Sequence, residues 1–190
     1  VKCGAFLDAQ SLFGELSEQD VISWNTLIAG YAHLGEEEKA FNSFDKMMAE
    51  RKNPNVVTFS IVLNLCNHGG LLEKCLIYLE MMNKNYNIIP TLEHHTCIVD
   101  SFGRAGDLYK AVEVIDNIPF LTDPQIWVTL LGVCQKWGDV ELGEFAFQHA
   151  ISLDDKDAAT YVCMSNIYRA TGRHEDAKRI ETKMNQVEVI

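Results

Sequence analysis

The stretch "DVISWNTLIAGYAHLGEEEKAFNSF", residues 20–44, decides the fold. Trp24, Leu27, Ile28 and Tyr31 recur at i, i+3, i+4 and i+7, which is one face of an amphipathic helix. Gly35 follows, as expected of a helix-ending glycine. The acidic run Glu36, Glu37 and Glu38 then opens a second helix, where negative charge suits the N-terminal dipole. One residue does not fit core building: Asn25 sits beside the apolar stripe.

Working outward, the same arrangement repeats along the chain. Gly4, Gly35, Gly70, Gly106, Gly138 and Gly172 are spaced by 31, 35, 36, 32 and 34 residues. Five residues past each glycine stand Ala9, Ala40, Cys75, Ala111, Gly143 and Ala177, all small enough for close helix approach. Nine past stand Phe13, Phe44, Leu79, Ile115 and Phe147, with Ile180 substituting beside Glu181 in the last unit. Twelve past stand Leu16, Met47, Met82, Ile118, Ala150 and Met184. The half before each glycine is periodic too: Phe59, Val62, Leu63 and Cys66; His95, Ile98, Val99 and Phe102; Trp127, Leu130, Leu131 and Cys134. Pro54, Pro90, Pro119 and Pro124 fall between units, where they remove no helix hydrogen bond. A unit of this length cannot bury its own core, so stacking must supply it. The expected architecture is all-α: a right-handed α-solenoid of helix–turn–helix repeats with one concave face.

Composition limits the function classes. With 190 residues and 47% hydrophobic content the chain can build a core, and no apolar run approaches the ~18 residues of a membrane span. The six cysteines are widely spaced without a C-x-x-C pair, and read as buried thiols of a reducing compartment. A formal net charge of −11 opposes phosphate-driven nucleic-acid binding. The chain starts at Val1, partway through a unit, and reads as a fragment.

Residues 21–55, "VISWNTLIAGYAHLGEEEKAFNSFDKMMAERKNPN", closely resemble a pentatricopeptide repeat, and lack the W-x2-L-G-x2-Y arrangement of tetratricopeptide repeats. Unit lengths resemble the plant PLS class of alternating standard, long and short repeats. Residues 1–20 look like the back of a short repeat, 21–55 a standard one, 56–91 a long one and 92–123 the final short one. Residues 124–157 resemble the E1 motif and 158–190 the E2 motif. This order is similar to that of E-subgroup factors in organellar C-to-U RNA editing, and implies a mitochondrial or chloroplast location.

In that family one repeat addresses one base of single-stranded RNA. The reader sits one residue past the core aromatic, about 100° around the helix; a second residue, the last of the unit, reaches the same base. Carried over, the pairs are Asn25 with Asn55, Ser60 with Thr91, and Thr96 with Asp123; Asp20 closes the truncated first unit. The resemblance implies a pyrimidine at the first pair and guanine at the third, where a carboxylate accepts the base's N–H donors; the Ser60 and Thr91 pair is left unspecified. Ile22 and Val57 are expected to sandwich bases, a role that Glu93, Gln125 and Ala159 do not match. Val128 and Val162 replace the polar reader, so the E1 and E2 units are expected to dock a partner. The implied partners are single-stranded organellar RNA, editing-factor proteins that contact long repeats, and a DYW-type deaminase in cis or in trans. With so few addressed bases, the fragment alone is expected to bind RNA weakly or undetectably.

Catalysis is not expected in these residues. Zinc-dependent deamination requires H-x-E and P-C-x-x-C, and neither occurs. In "EHHTC", residues 93–97, His94 and His95 are adjacent and point about 100° apart on a helix, which disfavours a metal site. No cofactor is expected. Two other readings stay open: an organellar RNA stability, splicing or translation factor, and a helical protein-interaction scaffold that reads no RNA.

Overall fold

The computed structural model describes residues 13–14, 19–118 and 123–187. Gly4, Ala9, Leu16 and Pro119 lie outside the described residues. Ten helices with both ends among the described residues follow in pairs: α1 (Val21–His33) and α2 (Glu37–Ala49), α3 (Val56–His68) and α4 (Leu72–Lys84), α5 (Leu92–Ala105) and α6 (Leu108–Asp116), α7 (Gln125–Trp137) and α8 (Val140–Leu153), α9 (Ala158–Ala170) and α10 (His174–Val187). No strand occurs among the described residues. The fold is all-α, as the periodicity predicts.

The chain divides into two compact units, residues 1–97 and 98–190. In the first, α1 packs on α2 and α3, and α3 on α4. Phe44 and Met47 of α2, Phe59 and Leu63 of α3, and Met82 of α4 are fully buried. Phe44 meets Phe59 and Tyr78 edge-on at centroid distances of 6.2 and 5.4 Å. Trp24 meets Phe13 in the same manner at 4.7 Å.

In the second unit, α7 packs on α6, α8 and α9, and α9 on α8 and α10. Leu130, Leu131 and Ala150 are fully buried, while Phe147 meets Tyr161 edge-on at 5.4 Å. Small residues at the predicted offset are buried: Ala40, Cys75, Ala111 and Ala177. Gly143 lets α8 approach Ile167 so closely that an added Cβ would stand 2.9 Å from its Cδ1. Ile180 is buried in α10 and Glu181 half-buried, as the pattern in the last unit requires.

The recurring glycines turn each pair. Gly138 ends α7 in the left-handed region at φ 69°, where its amide donates back to the Cys134 carbonyl. A side chain there is strained, because Cβ crowds the following carbonyl. Gly35, Gly70, Gly106 and Gly172 also have positive φ. Among the described residues no helix is long and apolar enough to cross a membrane.

Candidate nucleic-acid interface

The predicted site residues cluster at helix starts. The first amides of an α-helix have no carbonyl partner within the helix, so a polar side chain just before it lowers the free energy. Asp20 does this for α1: its Oδ1 accepts from the Ser23 amide at 2.8 Å, and the Ser23 hydroxyl donates to the Asp20 carbonyl at 2.8 Å. The Ser23 amide holds the exposed Asp20 carboxyl below the usual carboxylate range. Asp157 caps α9 through the Ala159 and Thr160 amides and the Thr160 hydroxyl.

Asn55 caps α3 with a full reciprocal box. Its Oδ1 accepts from the Thr58 amide at 3.0 Å, and the Thr58 Oγ1 accepts from the Asn55 amide at 3.0 Å. This is the capping-box arrangement, with threonine at the third helical position. The box extends to the preceding repeat. Thr58 Oγ1 donates to Asn25 Oδ1 at 2.6 Å, and Asn25 Nδ2 donates to Asn55 Oδ1 at 3.2 Å. Asn25 and Asn55, 30 residues apart, are therefore joined directly. Asn25 is only 8% exposed, so its amide is held in this network rather than projecting freely.

The next pair is built on the same plan with different chemistry. Thr91 precedes α5 and its amide donates to His94 Nδ1 at 3.0 Å. The Thr91 hydroxyl lies 2.7 Å from the same nitrogen. His94 Nε2 lies 3.1 Å from Ser60 Oγ and 3.3 Å from the Val56 carbonyl oxygen. Ser60 also donates to Glu93 Oε2 at 3.1 Å. His94 thus joins Ser60 to Thr91. It is fully buried, and burial pushes its pKa below the ordinary histidine value.

The third pair is placed differently. Thr96 is half-buried in the first unit, and its hydroxyl donates to the Leu92 carbonyl of its own helix at 2.9 Å. Asp123, exposed in the second unit, accepts from the Gln125 amide at 2.8 Å. Ile22 and Val57, the expected sandwiching residues, are 73% and 54% exposed. Glu93, Gln125 and Ala159 are exposed as well. Val128 is half-buried, and Val162 is exposed.

Two residues of these networks are not among the site residues of the sequence reading: Thr58 and His94. Their signal was present as N-x-x-T at residues 55–58 and T-x-x-H at 91–94, each closing three residues past the end of a unit. The "EHHTC" cluster resolves in the same way. Both ring nitrogens of His94 face protein partners, and His95 Nδ1 lies 2.9 Å from the Thr91 carbonyl oxygen. No group of three potential metal ligands occurs among the described residues.

Comparison with known proteins covers both parts of the chain. The PPR repeat family matches residues 19–68, the PPR repeat matches 57–86 and 93–119, and the E motif matches 137–189. A pentatricopeptide repeat-containing protein of Arabidopsis thaliana is 38% identical over 94% of this chain and 34% of its own length. A relative from the same plant named as mitochondrial is 38% identical over 96% of this chain and 29% of its own length. One named as chloroplastic is 36% identical over 97% and 25%. The chain thus spans about a third or less of these relatives. Among solved structures, the pentatricopeptide repeat protein PPR10 in complex with an 18-nt psaJ RNA element is similar with a TM-score of 0.82, at 18% identity, over 94% of this chain and 26% of that one. That likeness concerns the fold, an α-solenoid of stacked helix pairs.

Proposed function

The chain belongs to the pentatricopeptide repeat family, and on that premise we propose that it is an RNA-recognition and partner-docking segment of an organellar C-to-U editing factor. The observation that carries the reading is the bond joining Asn25 to Asn55, the two reader positions of residues 21–55, which meet at one helix start. A pair so held presents a fixed set of hydrogen-bonding atoms to an unstacked base. Ile22 and Val57 offer exposed apolar surface on either side of it in sequence. The repeat bounds proposed are 21–55, 56–91 and 92–123, followed by E1 at 124–157 and E2 at 158–190.

On this reading Asp20, Asn25, Asn55, Ser60, Thr91, Thr96 and Asp123 form the base-reading set. Val128 and Val162 leave E1 and E2 to engage a deaminase in cis or in trans. Relatives named as mitochondrial and as chloroplastic support an organellar location. The net charge of −11 favours a second reading, a protein-interaction scaffold with basic partners.

The test is Thr96→Asn in the full-length protein, with selection from a random single-stranded RNA pool. Preference at one base should move from guanine toward pyrimidine. Unchanged RNA behaviour would favour the scaffold.

A further inference from the structure

The hydrogen atoms around His94 can be assigned from the donors that surround it. A backbone N–H only donates, and that of Thr91 meets Nδ1 at 3.0 Å. Nδ1 therefore carries a lone pair, and the neutral ring bears its proton on Nε2. The Thr91 hydroxyl, 2.7 Å from the same Nδ1, must donate to it as well. On the other edge, Nε2–H is shared between Ser60 Oγ and the Val56 carbonyl. Ser60 accepts from the ring while donating its own hydrogen to Glu93 Oε2. Both hydroxyl hydrogens are thus committed within the protein, and lone pairs remain on Thr91 Oγ1 and Ser60 Oγ.

The Asn25 site has the opposite polarity. Asn55 Oδ1 accepts from Asn25 Nδ2 and from the Thr58 amide, which occupies both its lone pairs. What Asn55 has left is its Nδ2 pair of donors. In both places the side chain three past the unit's end, Thr58 or His94, accepts from the amide of the residue that closes the unit.

We propose that His94 is a positioning residue for base selection: it fixes Ser60 and Thr91 as an acceptor pair. Such a pair takes a base whose pairing edge offers neighbouring donors, and guanine, with N1–H and the N2 amino group, offers two. Without His94 the Thr91 hydrogen rotates freely and Ser60 is oriented by Glu93 alone, so the two no longer act as a fixed acceptor pair and discriminate little. The inference rests on the RNA-reading function proposed above. It supplies a base for the position that the resemblance leaves unspecified.

The experiment uses the full-length protein and a random single-stranded RNA pool, with wild type, His94→Gln, His94→Val, Asn25→Ser and Thr96→Asn. The Asn25→Ser shift marks the first base and the Thr96→Asn shift the third, and the base read by Ser60 and Thr91 lies between them. Wild type should select guanine there. His94→Gln, which can accept from the Thr91 amide in a capping box, should retain that choice. His94→Val should lose it by roughly tenfold, with the neighbouring preferences intact. Selection of another base by wild type, or retained guanine in His94→Val, overturns the proposal. Absence of enrichment at every position overturns the RNA reading itself. Independently of any variant, long-range 15N–1H spectra of the wild-type protein near pH 7 should find His94 with its proton on Nε2. A proton on Nδ1 overturns the assignment directly.

Discussion

Asn25 Nδ2 donates to Asn55 Oδ1 across 3.2 Å, tying the middle of one repeat's first helix to the start of the next. Thr58 closes the triangle through its hydroxyl. Asn25 and Thr58 are buried, so the triangle has an asymmetric energetic signature: removing the Thr58 hydroxyl strands Asn25 Oδ1 away from water. Thr58→Val should destabilise the protein by about 1–3 kcal/mol, and Thr58→Ser, which keeps the hydroxyl, by clearly less. Urea unfolding of the two variants beside wild type checks this. A Thr58→Val variant as stable as wild type, with the loss confined to Thr58→Ser, would mean that the methyl group, not the hydroxyl, is what matters.

His94 should make stability depend on pH in a defined direction. Burial lowers its folded pKa below 6.5, and the neighbouring His95 lowers it further, whereas Glu93 and the Val56 carbonyl oppose the shift. From α3 the ring is met by the Val56 carbonyl and Ser60, neither of them charged. Between the folded value and 6.5 the unfolded chain binds more protons than the native one, so stability rises with pH there. The contribution is complete above about 6.5 and is lost as pH falls through the folded value. Protonation would also place a hydrogen on Nδ1, facing the Thr91 amide. Urea midpoints between pH 5 and 8 should therefore decline on the acid side, and His94→Gln should flatten that decline.

Two helix glycines should respond in opposite directions to alanine. A Cβ on Gly103 in α5 would overlap the Val133 side chain of α7, and the Trp137 indole donates to the Gly103 carbonyl at 2.7 Å. Gly103→Ala should cost about 1–3 kcal/mol through overpacking. Pairing it with Val133→Ala should recover part of that loss. Gly132 is exposed within α7 with nothing within 4 Å of an added Cβ. Gly132→Ala should stabilise by roughly 0.5–1 kcal/mol, because alanine loses less backbone entropy on folding. Thermal unfolding of the single and double variants measures both effects.

The buried thiols should be slow to react. Burial pushes Cys66 and Cys134 up to about 12, so little thiolate exists at neutral pH. Iodoacetamide at pH 8 should leave both unmodified in the folded protein and label them after denaturation. Mass spectrometry of the peptides reads the outcome. Rapid native labelling of Cys134 would show that α7 opens readily.

Much of the fold was legible because helices and their ends are local. The spacing of Trp24 and Ile28, the small residue five past each glycine and the glycines at positive φ all follow from periodicity and backbone sterics. The pairing of Asn25 with Asn55 was implied by the family resemblance, and the two side chains are hydrogen-bonded. Gly103 was not legible: a mid-helix glycine with no repeat counterpart gains its meaning only from Val133 on another helix.

What the sequence by itself determined is the order of helix pairs, their turning points and the apolar faces that stack, since each depends on neighbours a few residues away. The tertiary structure alone decided the hydrogen-bond polarity of the candidate site. Thr58 reaches Asn25 across 33 residues, and His94 reaches the Val56 carbonyl across 38. No local rule predicts such contacts, because the cap of one helix meets the side of another only after the repeats have stacked. Once water is excluded there, every donor must find an acceptor, and that requirement fixes which atoms remain to face outward.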